Sequence, residues 1–115
     1  MSDSPYWNPK NERMSREDLN RLQLAKLRKH VAWAAAKSPF QRRMYAQAKV
    51  GADDLKSLDD IRRLPYMTRE DWMASQREEP LFGDLCTYPR ENAIRYHLTS
   101  GTTGRQPLRV LDGQR

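Results

Sequence analysis

The stretch that decides the fold is AIRYHLTSGTTGRQPLRVL, running from Ala93 to Leu111. Its first part, Ala93–Leu98, alternates with Ile94, Tyr96 and Leu98 on one face, which is the period of a strand. Leu108–Leu111 alternates again and predicts a second strand. Between them lies a loop, Thr99–Pro107, that holds Gly101 and Gly104. Glycine allows backbone angles that strain other residues. It also lets amide N–H groups converge on an anion with no Cβ in the way. Thr99, Ser100, Thr102 and Thr103 add hydroxyls, and Arg105 and Arg109 add positive charge. A loop of this kind suits the oxygens of a triphosphate. Taken from the residues alone, an unliganded polar hairpin loop stands beside that reading. The loop is not a Walker A loop, because Gly101 is not followed by the GK[ST] ending at the required spacing.

Upstream of the hairpin the period is helical. Ser15 and Asp18 form a capping-box pair that opens a helix. Leu19, Leu22, Leu27, Val31 and Ala34 fall on one broad side of it, widened by Leu24 and Ala35. That helix fades before Pro39, since the residue preceding a proline avoids the helical region. Ser38–Pro39 restarts a helix in the favoured order of cap and first-turn proline. Phe40, Met44, Tyr45 and Ala48 give this helix its face. Gly51 is suited to end it in the left-handed conformation. A third helix is expected from Ser57 with Asp60 as box partner, ending at Pro65. A fourth is expected from Thr68 with Asp71 in the box position. The segmentation is thus an extended arm over 1–14, a helical region over 15–80, a turn-rich connector over 81–92 around Gly83 and Pro89, and the start of a sheet over 93–115. Trp7, Trp33 and Trp72 read as packing residues, His30 as a surface or boundary histidine and His97 as a strand residue. The acidic pairs Asp53–Asp54 and Asp59–Asp60 sit at helix starts, where they favour the positive end of the dipole.

Composition narrows the class. The chain has 115 residues, 37% hydrophobic and 31% charged, with a formal net charge of +6. That is polar for a small domain closing its own core, so some apolar faces are expected to await a neighbour. The basic residues are scattered: Arg42–Arg43 and Arg62–Arg63 are pairs, not a block. The single cysteine, Cys86, excludes an internal disulfide and a CxxC metal site. No apolar run approaches the roughly 20 residues that a membrane span needs, and a cytoplasmic location is expected.

The segment Tyr96-His97-Leu98-Thr99-Ser100-Gly101-Thr102-Thr103-Gly104 closely resembles the phosphate-binding signature of the acyl-adenylate-forming enzymes. In that family the loop is flexible and grips the ATP phosphates. Earlier strings resemble one branch, the phenylacetate–CoA ligase-like proteins. These are Tyr6-Trp7-Asn8-Pro9, Met14-Ser15-Arg16-Glu17-Asp18-Leu19, Leu22-Gln23, Ser38-Pro39-Phe40, the run Asp53 to Ile61, Leu64-Pro65 and Thr68-Arg69-Glu70-Asp71. The resemblance implies an α/β parent fold, with this piece mainly α-helical and ending in a β-hairpin. It implies an AMP-forming carboxylic acid–CoA ligase that uses ATP, Mg2+ and CoA. It places Thr99, Ser100, Gly101, Thr102, Thr103, Gly104 and Arg105 on the ATP phosphates. The chain departs from the pattern in one place: Arg105 and Gln106 precede Pro107, so Arg105 and Arg109 both stand as the basic residue of the loop. The family's magnesium carboxylate, ribose aspartate and adenylation lysine have no counterpart here. The expectation is therefore a fragment with no catalytic residue, no metal ligand, no activity alone and no tight binding of ATP, Mg2+ or CoA. It is expected to bind neither nucleic acid nor membrane.

Three alternatives accompany this reading. One is an adenylating relative with an acceptor other than CoA. Another is a small helical interaction domain. The third is a nucleic-acid module, since Gly101–Gly104 also fits the GXXG pattern of KH domains; that loop, however, joins two helices.

Overall fold

The computed structural model describes residues 4–101, 104 and 106–113. Its elements are α1 (Pro9–Glu12), α2 (Arg16–Lys37), α3 (Pro39–Ala48), α4 (Arg69–Glu78), β1 (Ala93–Leu98) and β2 (Arg109–Gly113). Short 3-10 turns occupy Ala52–Asp54, Leu58–Arg63 and Arg90–Asn92. The chain is mainly helical, with β1 and β2 paired antiparallel in a two-stranded sheet.

Helix starts follow local chemistry. The Ser15 hydroxyl accepts from the Asp18 amide at 3.1 Å and donates to the Asp18 carboxylate at 2.7 Å. At α3, Ser38 Oγ accepts from the Gln41 amide at 3.2 Å. At α4 the box is complete: the Thr68 amide donates to Asp71 at 2.8 Å, and the Asp71 amide donates to Thr68 Oγ1 at 3.2 Å. The bond from the Thr68 amide, with help from its hydroxyl, holds the Asp71 carboxyl below its ordinary pKa. The helix expected from Ser57 forms as a 3-10 turn, Leu58–Arg63. Asp60 accepts there from the amides of Lys56 and Ser57, both at 2.8 Å.

Three expectations are corrected. The arm over 1–14 is not extended throughout. Pro9–Glu12 makes one helical turn, because Asn8 caps the Asn11 amide at 3.2 Å and Glu12 accepts from the Asn8 amide at 2.6 Å. The left-handed residue that ends α3 is Lys49, with φ 52°, and not Gly51, which is extended at φ −137°. Gly51 instead presents its amide to the Asp54 carboxylate at 2.8 Å. Of the three tryptophans only Trp72 is half-buried; Trp7 is 99% and Trp33 46% exposed.

The packed core is small: Val31, Ala34, Phe40, Val50, Leu55 and Leu108. The first five join α2, α3 and the Ala52–Asp54 turn. The radius of gyration is 18.0 Å, against about 13 Å for a compact domain of this length. The chain is thus drawn out, and Tyr66, Ile94, Tyr96 and Leu98 are all more than half exposed.

One carboxylate ties the parts together. Asp84 pairs with Arg43 of α3, accepts from Ser75 Oγ of α4 at 2.7 Å, and gives its amide to the same oxygen at 3.0 Å. Its carbonyl accepts from Ser38 Oγ at 3.3 Å and from the Phe40 amide at 3.2 Å. Gly83 makes this approach possible. It sits at φ +71°, and a Cβ there would lie 2.4 Å from Ser75 Oγ. Burial of Asp84 pushes its pKa up, but the Arg43 and Ser75 hydrogen bonds outweigh it and hold the carboxyl below its ordinary value.

Candidate functional site

The loop of interest joins β1 to β2, so it spans two antiparallel strands and not two helices. Its stem is closed at Thr99 and Leu108. The Thr99 amide donates to the Leu108 carbonyl at 3.0 Å, and the Leu108 amide donates to Thr99 Oγ1 at 2.9 Å. The hydroxyl of Thr99 therefore holds the loop's base with its lone pair and keeps its proton to donate. Above this base the Gly104 amide donates to the Gly101 carbonyl at 3.1 Å. Both glycines are left-handed, at φ 61° and 69°. At Gly104 the requirement is conformational only, since a Cβ there would meet nothing within 4 Å. Ser100 is exposed at the tip. Thr102, Thr103 and Arg105 lie outside the described residues. Among the described residues, then, Thr99, Ser100, Gly101 and Gly104 are brought together as one turn, exposed except at half-buried Gly101.

Behind the stem stands α4. Gln76 is buried, and its side-chain amide reaches both backbone groups of Arg109: Nε2 donates to the carbonyl at 2.7 Å, and Oε1 accepts from the amide at 3.3 Å. Residues of an antiparallel pair alternate between facing their partner and facing away. Arg109 faces away from β1, and Gln76 takes the place of a third strand. Two residues on, the outward carbonyl of Leu111 accepts from Tyr88 Oη at 2.8 Å. Arg69 donates to the carbonyl of Gln106 at 2.9 Å. The outer edge of β2 is thus closed by side chains. Nothing comparable covers β1 among the described residues. Tyr96 meets Phe82 edge-on at 6.4 Å, yet stays 62% exposed.

Arg109, the second candidate for the loop's basic residue, lines a small cleft with Met73, Gln76 and Arg77, against α4. A larger cleft of ≈ 220 Å³ lies between α4, the connector and β2, walled chiefly by Trp72, Phe82, Leu85, Val110 and Leu111. Trp72 Nε1 is buried and, among the described residues, has no hydrogen-bond partner. Among the same residues no three His, Cys, Asp or Glu side chains converge as metal ligands, and no helix is long and apolar enough to cross a membrane.

Reading the sequence for motifs found the loop and missed Gln76, Arg69 and Tyr88. No motif marks Gln76 or Tyr88, and although Arg69 stands in the Thr68–Asp71 string, its partner Gln106 lies 37 residues away, beyond any local pattern.

No protein-family model matches the chain. It is similar to the phenylacetate-coenzyme A ligase of Thermus thermophilus, 35% identical over 99 residues, which cover 86% of the chain and 21% of that enzyme. It is similar to the phenylacetate-coenzyme A ligase of Aromatoleum evansii, 36% identical over 82% of the chain and 20% of that enzyme. Among solved structures it matches 2-hydroxyisobutyryl-CoA ligase in complex with 2-HIB-AMP and CoA, with TM-score 0.87 and 35% identity over 99% of the chain and 24% of that protein. The chain spans about a fifth of the length of the curated relatives it matches.

Proposed function

We propose that this chain, which belongs to the phenylacetate–CoA ligase-like family, carries the ATP-phosphate loop of an AMP-forming carboxylic acid–CoA ligase and is a part of that enzyme. The observation that carries the proposal is the paired left-handed glycines, Gly101 and Gly104, in an exposed turn on a closed strand stem. A turn of this kind can offer successive amides to an anion. The rest of the loop signature, Thr102, Thr103 and Arg105, supports it by sequence.

In this reading the whole enzyme binds ATP with Mg2+ and a carboxylic acid, releases pyrophosphate, and passes the acyl group to CoA. Residues 93–115 begin its nucleotide-binding sheet, and 15–80 are a helical lead-in. The chain's own part is electrostatic. Loop amides and the hydroxyls of Thr99, Ser100, Thr102 and Thr103 face the phosphate oxygens and offset charge as pyrophosphate leaves. Of these donors, the Thr99 hydroxyl is held by the Thr99–Leu108 stem and needs little reorganisation at that moment. Arg105 is assigned as the loop's basic residue by its place in the signature; the position of Arg109 at the cleft against α4 supports that choice. In this reading the magnesium carboxylate and the adenylation lysine come from the rest of the enzyme, and the chain is expected to be inactive by itself. A cytoplasmic location goes with this reading, in keeping with a single unpaired thiol, Cys86.

The test is made in the full-length ligase. Gly101→Val forces a branched residue into a left-handed position, with strain of about 1–3 kcal/mol. Adenylation should slow about tenfold to a hundredfold, with little change in affinity for the acid. Thr102→Ala should cost about 1.5–3 kcal/mol through loss of a donor to a charged group. Wild-type adenylation rates in both variants would return the loop to a plain polar hairpin.

A further inference from the structure

The geometry points to Gln76 as a positioning residue for the phosphate loop, acting through the backbone of Arg109. The inference rests on the phosphate reading of residues 99–104 and adds to it how the loop is held.

A hairpin of two strands is marginal alone, since each outer edge carries unpaired amides and carbonyls. In this chain β2 avoids that cost. Gln76 matches the outward N–H and C=O of Arg109 with one acceptor and one donor, at 3.3 and 2.7 Å. A planar primary amide is the side chain that can do both, because it carries a donor and an acceptor side by side. The neighbouring residue Leu108 is buried and bonds back to Thr99 through both of its backbone groups. The chain of contacts is therefore short: Gln76, the Arg109 backbone, Leu108, Thr99, and then Ser100 and Gly101. Arg69, two turns earlier on the same side of α4, pins the other side of the loop at the Gln106 carbonyl. Helix α4 is itself fixed to α3 through Ser75, Asp84 and Arg43. The loop tip is thereby referenced to the helical region and not to its own strands alone.

Gln76 touches no reacting atom in this scheme. Its effect is on where the loop's base stands, and with it the Thr99 and Ser100 hydroxyls and the Gly101 amide. Gln76→Leu keeps the bulk and removes both bonds. Gln76→Glu keeps the acceptor at neutral pH and replaces the donor by a charge. On protonation the carboxyl regains an O–H donor beside its carbonyl and matches the amide again. Arg77 and Arg109 line the cleft beside this position and favour the ionised form, so recovery is expected only toward acid pH.

The experiment uses the full 115-residue chain, isotope-labelled, with two readouts. The first is protection of the Thr99, Leu108 and Arg109 amides from exchange. Gln76→Leu should lower it at least tenfold, with the amides of α2 and α3 unchanged. Gln76→Glu should keep protection at the Arg109 amide, whose acceptor it retains, lose it at Thr99 and Leu108 at pH 7, and regain it there toward acid pH. The second is titration with sodium tripolyphosphate, followed at Thr99, Gly101 and Gly104. Gln76→Leu should bind about tenfold more weakly than the wild type. Wild-type protection in Gln76→Leu, or wild-type protection at Thr99 and Leu108 in Gln76→Glu at pH 7, overturns the inference and leaves Gln76 a space-filling residue. Equal tripolyphosphate binding by wild type and Gln76→Leu overturns it too, even if protection is lost. Absence of binding by the wild type overturns the phosphate reading itself and, with it, the role assigned to Gln76 toward phosphate.

Discussion

The helical region around α2 and α3 and the β1–β2 hairpin satisfy their polar and apolar groups in opposite ways. In the helical region the cap bonds span three residues, and the apolar side chains Val31, Ala34, Phe40 and Leu55 pack within it. In the hairpin, β2 borrows Gln76 and Tyr88 from distant parts of the chain, and β1 leaves Ile94, Tyr96 and Leu98 more than half exposed. A helix closes its hydrogen bonds within itself, whereas a strand closes them only with a neighbour. The drawn-out shape follows from this: one part is nearly complete, and the other is built to be covered.

The largest way to break the contrast is to empty the helical core. Leu55 is fully buried. Leu55→Ala should cost about 2–5 kcal/mol, read as a fall in the urea midpoint followed by far-UV circular dichroism. A smaller cost falls on the joint between the two regions. Gly83→Ala puts a Cβ at φ +71° and 2.4 Å from Ser75 Oγ. It should cost about 1–3 kcal/mol and remove protection at the Asp84 amide, while α2 remains protected.

Smaller again is the pH effect at the same joint. Asp84 has a lowered pKa in the folded chain, so its contribution is fully present above the unfolded value of about 3.9. That contribution is lost as the pH falls through the lower folded value. Stability should fall between about pH 4 and the folded pKa in the wild type. Asp84→Asn should flatten that part of the profile; an unchanged slope would remove Asp84 from the joint. The smallest effect is expected at Tyr96. It is 62% exposed, so Tyr96→Ser should change stability by less than about 0.5 kcal/mol. A large loss would mean that the β1 face is already packed in solution.

Much of this was legible in advance. The starts of α2, α3 and α4 and the carboxylate at the Leu58–Arg63 turn follow from Ser15, Ser38, Thr68 and Asp60, because each acts on a group three or four residues away. That Gly101 and Gly104 permit unusual backbone angles was legible from their lack of a Cβ; that both take positive φ is a finding of the structure. The left-handed Lys49 was not legible, since Gly51 lies two residues on and is the more obvious choice by composition. Trp7 was misread because aromatic character says that a residue can pack, not that a surface is within reach.

The sequence by itself determined where α2, α3 and α4 begin and where the period turns to that of a strand. Those features depend on sterics and hydrogen bonds among near neighbours in the chain. Only the tertiary structure decided that Gln76 closes the edge of β2 from 33 residues away, that Asp84 reaches Arg43 across 41 residues and Ser38 across 46, and that β1 stays open. Such pairings depend on which distant segments the packed core brings within hydrogen-bond reach, and no local pattern encodes that distance.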